Sequence, residues 1–148
     1  MTLSNEEARV FFKTGKLPDG KKKKGSKYNN KIVEYKGRKF DSIAEMEYYR
    51  DVLELKENAG IIGKVKFQHR YELENNGKHV CYYYTDFRYK GEDGWFYIDD
   101  VKGKITDTFR LKWKMLKAQV TEIEHKAVLR LVKKKKGKFE VIEETRIE

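Results

Sequence analysis

Apolar positions recur with two different periods along this chain, and the changes of period mark its elements. Ser4-Asn5-Glu6-Glu7 has the Ser-x-x-Glu spacing of a capping box and opens a short helix through about Lys13. Leu17-Pro18-Asp19-Gly20 ends it with turn chemistry. Val33 to Phe40 reads as a small hairpin with Gly37 at its turn. Ser42-Ile43-Ala44-Glu45 is a second capping box, and its helix is predicted to run to about Glu57, where Asn58-Ala59-Gly60 closes it. Ala44, Tyr48, Val52 and Leu55 fall on one face of that helix. Three strands follow, at about Lys64–Leu73, Val80–Tyr89 and Trp95–Lys102, separated by Asn75-Asn76-Gly77 and Gly91-Glu92-Asp93-Gly94. A helix from about Thr108 to Val120 carries Phe109, Trp113, Leu116 and Val120 as its apolar stripe. A strand near His125–Val132 comes next, then a charged hairpin tip at Lys133–Lys138 and a last short strand at Phe139–Ile142. The order is α–β–β–β–α–β with extensions at both ends, a mixed α/β (α+β) core with no internal repeat.

Composition places this pattern in a folded, water-facing protein. The 148 residues are 39% hydrophobic and 14% aromatic, which favours a packed core over disorder. No apolar run reaches the ~20 residues of a membrane span, and the polar start, Met1 to Lys16, does not read as a signal peptide. Cys81 is the single cysteine, so neither an internal disulfide nor a cysteine metal cluster is expected, which fits a reducing cytoplasm.

Charge is unevenly spread. Residues 1–40 carry twelve Lys/Arg against four Asp/Glu, residues 41–102 nine against thirteen, and residues 103–120 five against one, within a net +10. Basic ends around an acidic middle suggest a surface for a polyanion and a pocket for a cation. A soluble surface with basic tails is the plainer reading.

The chemistry concentrates in Tyr84-Thr85-Asp86-Phe87-Arg88-Tyr89 and Ile98-Asp99-Asp100-Val101-Lys102-Gly103. Strand alternation puts Asp100 and Lys102 on one face. The turn at Gly91–Gly94 makes the two strands antiparallel neighbours, so Asp86 approaches Asp100. Two close carboxylates repel unless a cation compensates, and a hard ion such as Mg²⁺, with Mn²⁺ as a substitute, takes such oxygen ligands. Lys102 beside it would orient a water or offset developing negative charge. The competing reading is a salt bridge on a solvated sheet face. Glu45 is a fourth acid in the first turn of its helix, although a capping box wants Glu there in any case, and Glu47 competes with it from another face. His69, His79 and His125 show no metal-ligand spacing. Tyr82, Tyr83, Tyr84, Trp95 and Trp113 read as core and sheet packing rather than base-stacking platforms.

These motifs resemble the PD-(D/E)xK nuclease superfamily, whose αβββαβ core carries an Asp on its second strand, a (D/E)-x-K triplet on its third and often a Glu on its first helix. Asp86, Asp100-Val101-Lys102 and Glu45 match those positions. The chain is similar to a small bacteriophage family within it through Lys27-Tyr28-Asn29-Asn30-Lys31, Phe40-Asp41-Ser42-Ile43-Ala44-Glu45-Met46-Glu47-Tyr48-Tyr49 and the two stretches above. Thr85 stands where the superfamily's Pro would be. The resemblance implies a restriction-endonuclease-like fold for the nuclease domain, residues 27–148, while residues 1–26, read above as a helix and basic arm, match nothing in it. It also implies Mg²⁺-dependent cleavage of branched DNA, as in a Holliday-junction resolvase, by a phage-encoded homodimer in the bacterial host cytoplasm. Asp86 and Asp100 would bind the metal, with the Val101 carbonyl and Glu45 as further ligands. Lys21, Lys22, Lys23, Lys24, Lys27, Lys104, Arg110, Lys112 and Lys114 would contact phosphates. The alternatives are a nicking, flap or sequence-specific nuclease on the same core, and an inactive DNA-binding accessory protein.

Overall fold

The computed structural model describes residues 31–120 and 123–148. The helix expected from Ser4 and the arm at Lys21–Lys27 lie outside the described residues. Strand β1 (Val33–Tyr35) turns into β2 (Arg38–Phe40) through Lys36 and Gly37, both at positive φ, which is the hairpin expected around Gly37. Ser42 then caps the next helix, its Oγ accepting from the Glu45 amide at 3.1 Å.

That helix has three parts: α1 (Ile43–Tyr48), a π-helical turn (Tyr49–Leu53) and α2 (Glu54–Asn58). The π turn cuts the expected apolar stripe short: Ala44, Tyr48 and Val52 pack on one core cluster, but Leu55 leaves it. Each of its hydrogen bonds spans one residue more than in an α-helix, so later positions rotate out of phase. Leu53 is fully buried, whereas Leu55 is 63% exposed. Glu54 also turns inward, where it accepts a hydrogen bond from Tyr35 Oη at 2.7 Å and pairs with Lys36. This ties the small hairpin to the helix.

The main sheet has the order β3 (Lys66–Asn75), β4 (Lys78–Lys90), β5 (Phe96–Val101), β6 (Ala127–Lys135), β7 (Lys138–Ile147). Strands β5 and β6 run parallel, and every other neighbouring pair is antiparallel. A parallel pair needs a long crossover, here supplied by α3 (Asp107–Gln119), which Thr106 caps. The class is therefore the mixed α+β one expected. The last strand is longer than its apolar residues suggested, because Glu143 to Arg146 continue it as a charged sheet edge.

Each face of the sheet carries a packed layer. On one side Trp113 and Leu116 of α3, with Val120 at its C-cap, pack on Tyr71, Leu73, Tyr83, Ile98, Leu129 and Leu131. On the other, Phe40, Tyr48 and Leu53 pack on Phe87, Tyr89, Val101 and Val132. The β3–β4 pair changes sides between these layers. Phe67 packs on the α1 side and Tyr71 on the α3 side, although alternation would put both on one face. Between them Gln68 has φ +49°, and it sits across from Asp86, with both residues missing from a register that otherwise runs unbroken from Lys66 to Leu73, ahead of a bulge between Leu73 and Glu74. No helix among the described residues is long and apolar enough to cross a membrane.

Candidate active site

The irregularity at Gln68 and Asp86 coincides with the point where β4 and β5 part. Their last paired residues are Phe87 and Asp99, and one further step sets Asp86 against Asp100. Both carboxylates are buried, Asp100 completely. Asp86 Oδ2 accepts from the Val101 amide at 2.8 Å, which replaces a ladder hydrogen bond by a side-chain one. Its Oδ1 lies 3.5 Å from Gln68 Nε2. Asp100 Oδ2 accepts from Tyr83 Oη.

The remaining oxygen, Asp100 Oδ1, has no hydrogen-bond donor among the described residues. Its nearest ionic neighbour is Lys102 Nζ at 3.5 Å, an ion-pair separation. The Lys102 ammonium also lies 4.6 Å from the centroid of the Phe109 ring on α3. Asp86, Asp100 and Lys102 therefore meet on one side of the sheet, as strand alternation required.

Glu45 joins them electrostatically. Burial pushes its carboxyl up to about 8, reinforced by the charges of Asp86 and Asp41 and opposed by Lys102 and Ser42. Asp86 is raised well above the carboxylate range, first by burial and then by Asp100. Asp100 is raised by burial, against the pull of Lys102 and Tyr83. For Lys102, burial disfavours the charge, but Asp100, Asp86 and Glu45 outweigh it and hold the amine above its usual value. The lysine is thus a cation here and not a free base. Glu47, the competing acid, pairs with Lys134 instead.

Three acids raised together give a testable pH dependence. The folded state binds protons that the unfolded chain has released, so stability is fullest below the ordinary carboxyl pKa and is lost as pH rises. For Glu45 the window runs from 4.5 to about 8. In the absence of divalent ions, denaturant unfolding should show wild type losing on the order of a few kcal/mol from pH 5 to pH 8. Glu45→Gln should flatten part of that slope, and an unchanged slope would remove Glu45 from the cluster.

The donor set fits a hard divalent cation. Two facing carboxylates, one with a donorless oxygen, form a negative pocket, and Mg²⁺ is commonly held by one or two carboxylates plus waters. Among the described residues no three His, Cys, Asp or Glu side chains form a ready-made cage, so backbone oxygen and water would complete the shell.

The other expected contacts divide. Arg110 and Lys114, four residues apart on α3, line a cleft of about 370 Å³ with Phe109 and Trp113, so the cleft shares Phe109 with Lys102. Lys112 lies between them in sequence, is half-buried and does not line this cleft, and Lys104 is exposed in the loop before α3. Lys21, Lys22, Lys23, Lys24 and Lys27 lie outside the described residues. The packing role expected of the aromatics holds for Tyr83 and Trp113, but Tyr82 and Tyr84 are 40% and 51% exposed on the open side of β4. Gln68 and Tyr83 are the site partners that the sequence reading missed. No motif singles out Gln68, and Tyr83 looks like any strand tyrosine.

A family model described as "Protein of unknown function (DUF1064)" matches residues 25–136, a span that holds Glu45, Asp86, Asp100, Lys102 and all of α3. No curated protein and no solved structure matches the chain.

Proposed function

The chain belongs to the family described as Protein of unknown function (DUF1064), and from that premise we propose that it is a Mg²⁺-dependent DNA endonuclease acting on branched DNA, above all four-way junctions. One observation carries the nuclease reading: two buried carboxylates face each other across β4 and β5, one oxygen has no donor among the described residues, and a charged lysine stands beside them. An ordinary structural salt bridge would not need the second acid, whose repulsion costs stability.

In this reading Asp86 and Asp100 hold the cation, helped by the Val101 carbonyl and by Glu45. Bound Mg²⁺ supplies a lowered pKa for water and neutralises charge on the phosphoryl group. Lys102 orients the attacking water and offsets the charge that grows on the phosphate oxygens. Arg110 and Lys114 take neighbouring phosphates, which fixes the register of the backbone without reading bases. The PD-(D/E)xK resemblance supports this assignment of roles. It also supports the branched substrate and a homodimer whose two sites cut two strands.

A cleavage panel tests the substrate. With Mg²⁺, four-way junctions should be cut in preference to flap, nicked duplex, linear duplex and single-stranded DNA of the same sequence. Cleavage of linear duplex at the junction rate would overturn the branched-DNA reading.

A further inference from the structure

We propose that Asp99, which faces away from the candidate site, is its positioning residue: one buried carboxylate joins the helix bearing Glu45, the strand bearing Asp86 and the strand bearing Asp100. The endonuclease reading defines what this register serves, so the inference rests on it.

Asp99 is fully buried on the α1 side of the sheet. Its Oδ2 accepts from Tyr48 Oη and from Tyr89 Oη, both at 2.7 Å. Arg130 forks onto it, with Nε 2.8 Å from Oδ1 and Nη2 2.7 Å from Oδ2. The same Nη2 donates to Tyr89 Oη at 2.6 Å. Arg130 stands directly across from Asp99 in the parallel β5–β6 ladder. Burial and the charge of Asp99 hold the Tyr48 and Tyr89 hydroxyls above the usual phenol range, so both remain donors.

The placement of these partners supports more than cohesion. Tyr48 follows Glu45 by about one helical turn and is the last residue before the π turn. Tyr89 lies three residues beyond Asp86 on β4, and Asp99 is bonded to Asp100. Successive strand side chains point to opposite faces. Rotation of Asp99 about the strand therefore swings Asp100 the other way. A two-pronged Arg–carboxylate pair fixes orientation as well as distance. An apolar cluster of similar volume would hold the layers together as well, but it would not set that angle.

Tyr48→Phe and Tyr89→Phe test this in the full-length protein, since each keeps its ring and loses one hydroxyl. Mg²⁺ affinity is measured by calorimetry without DNA, alongside thermal unfolding, metal-free junction binding and the kcat and KM of cleavage. Positioning predicts that Mg²⁺ affinity and kcat fall about tenfold or more, the scale of supporting-shell losses at metal sites. Junction binding and KM should stay at wild-type values. A lower melting temperature with Mg²⁺ affinity and kcat within twofold of wild type overturns the proposal. Should one variant not fold, the other decides. Wild type that binds Mg²⁺ yet cuts no DNA sinks the endonuclease reading alone, and the Mg²⁺ affinity ratio still judges Asp99. Wild type without measurable Mg²⁺ binding overturns both.

Discussion

Lys102→Ala should bind four-way junctions about as tightly as wild type and cut them roughly 10³-fold more slowly, the scale on which a lost transition-state donor is felt. The separation of the two effects follows from placement. Lys102 Nζ is 3.5 Å from Asp100 Oδ1 and packs over Phe109, which in the proposed reading sets it at the reacting phosphate and not along the duplex. Binding would be left to Arg110, Lys114 and the other basic residues, whose proposed phosphate contacts would add up over many charges. Lys102→Arg should not restore the rate, because the planar fork replaces a compact point charge. The measurement is single-turnover cleavage beside a gel-shift titration in Ca²⁺. Cleavage at the wild-type rate would end the assignment of this lysine, and a parallel loss of binding would make it an ordinary phosphate contact.

Asp86→Asn should produce a protein that is more stable than wild type without metal and inactive with it. At pH 8 the wild-type pair sets two acids against each other in a buried place, and both resist ionisation. An amide at position 86 keeps an oxygen for the Val101 N–H and turns a donor toward Asp100. Repulsion becomes a hydrogen bond to a charged group, a gain on the order of 2 kcal/mol. The gain should shrink at pH 5, where the wild-type carboxyl carries its proton. Added Mg²⁺ should raise the wild-type unfolding midpoint, as any ligand of the folded state does, and leave the variant where it was. Equal destabilisation of the variant at both pH values would show that the acid pair is not under strain, and retained cleavage would show that Asp86 is not a ligand.

What could be read from the sequence was local. Asn76-Gly77 and the span Gly91–Gly94 announce the turns on either side of β4, and they fix which strands are neighbours. The spacing of Asp100 and Lys102 fixes their common face. The features that escaped depend on tertiary choices. Nothing in Tyr49-Arg50-Asp51-Val52-Leu53 encodes a wide turn, yet that turn buries Leu53 and exposes Leu55. Gln68 adopts a left-handed backbone without the glycine or asparagine that usually signals it. Asp99 and Asp100 are the same residue type side by side. Their different environments follow from Tyr48 and Arg130, which lie far from both in sequence. The length of β7 was hidden because an edge strand can be charged on both sides.

The segment Ile98-Asp99-Asp100-Val101 reads nearly the same from either side of the sheet, with one apolar and one acidic residue toward each layer. Sliding β5 by a single residue would exchange the layers and leave an almost identical sequence of greasy and charged contacts. Hydrophobicity thus says little about which way this strand is inserted. The guanidinium of Arg130, which meets Asp99 on one side only, breaks that near-symmetry.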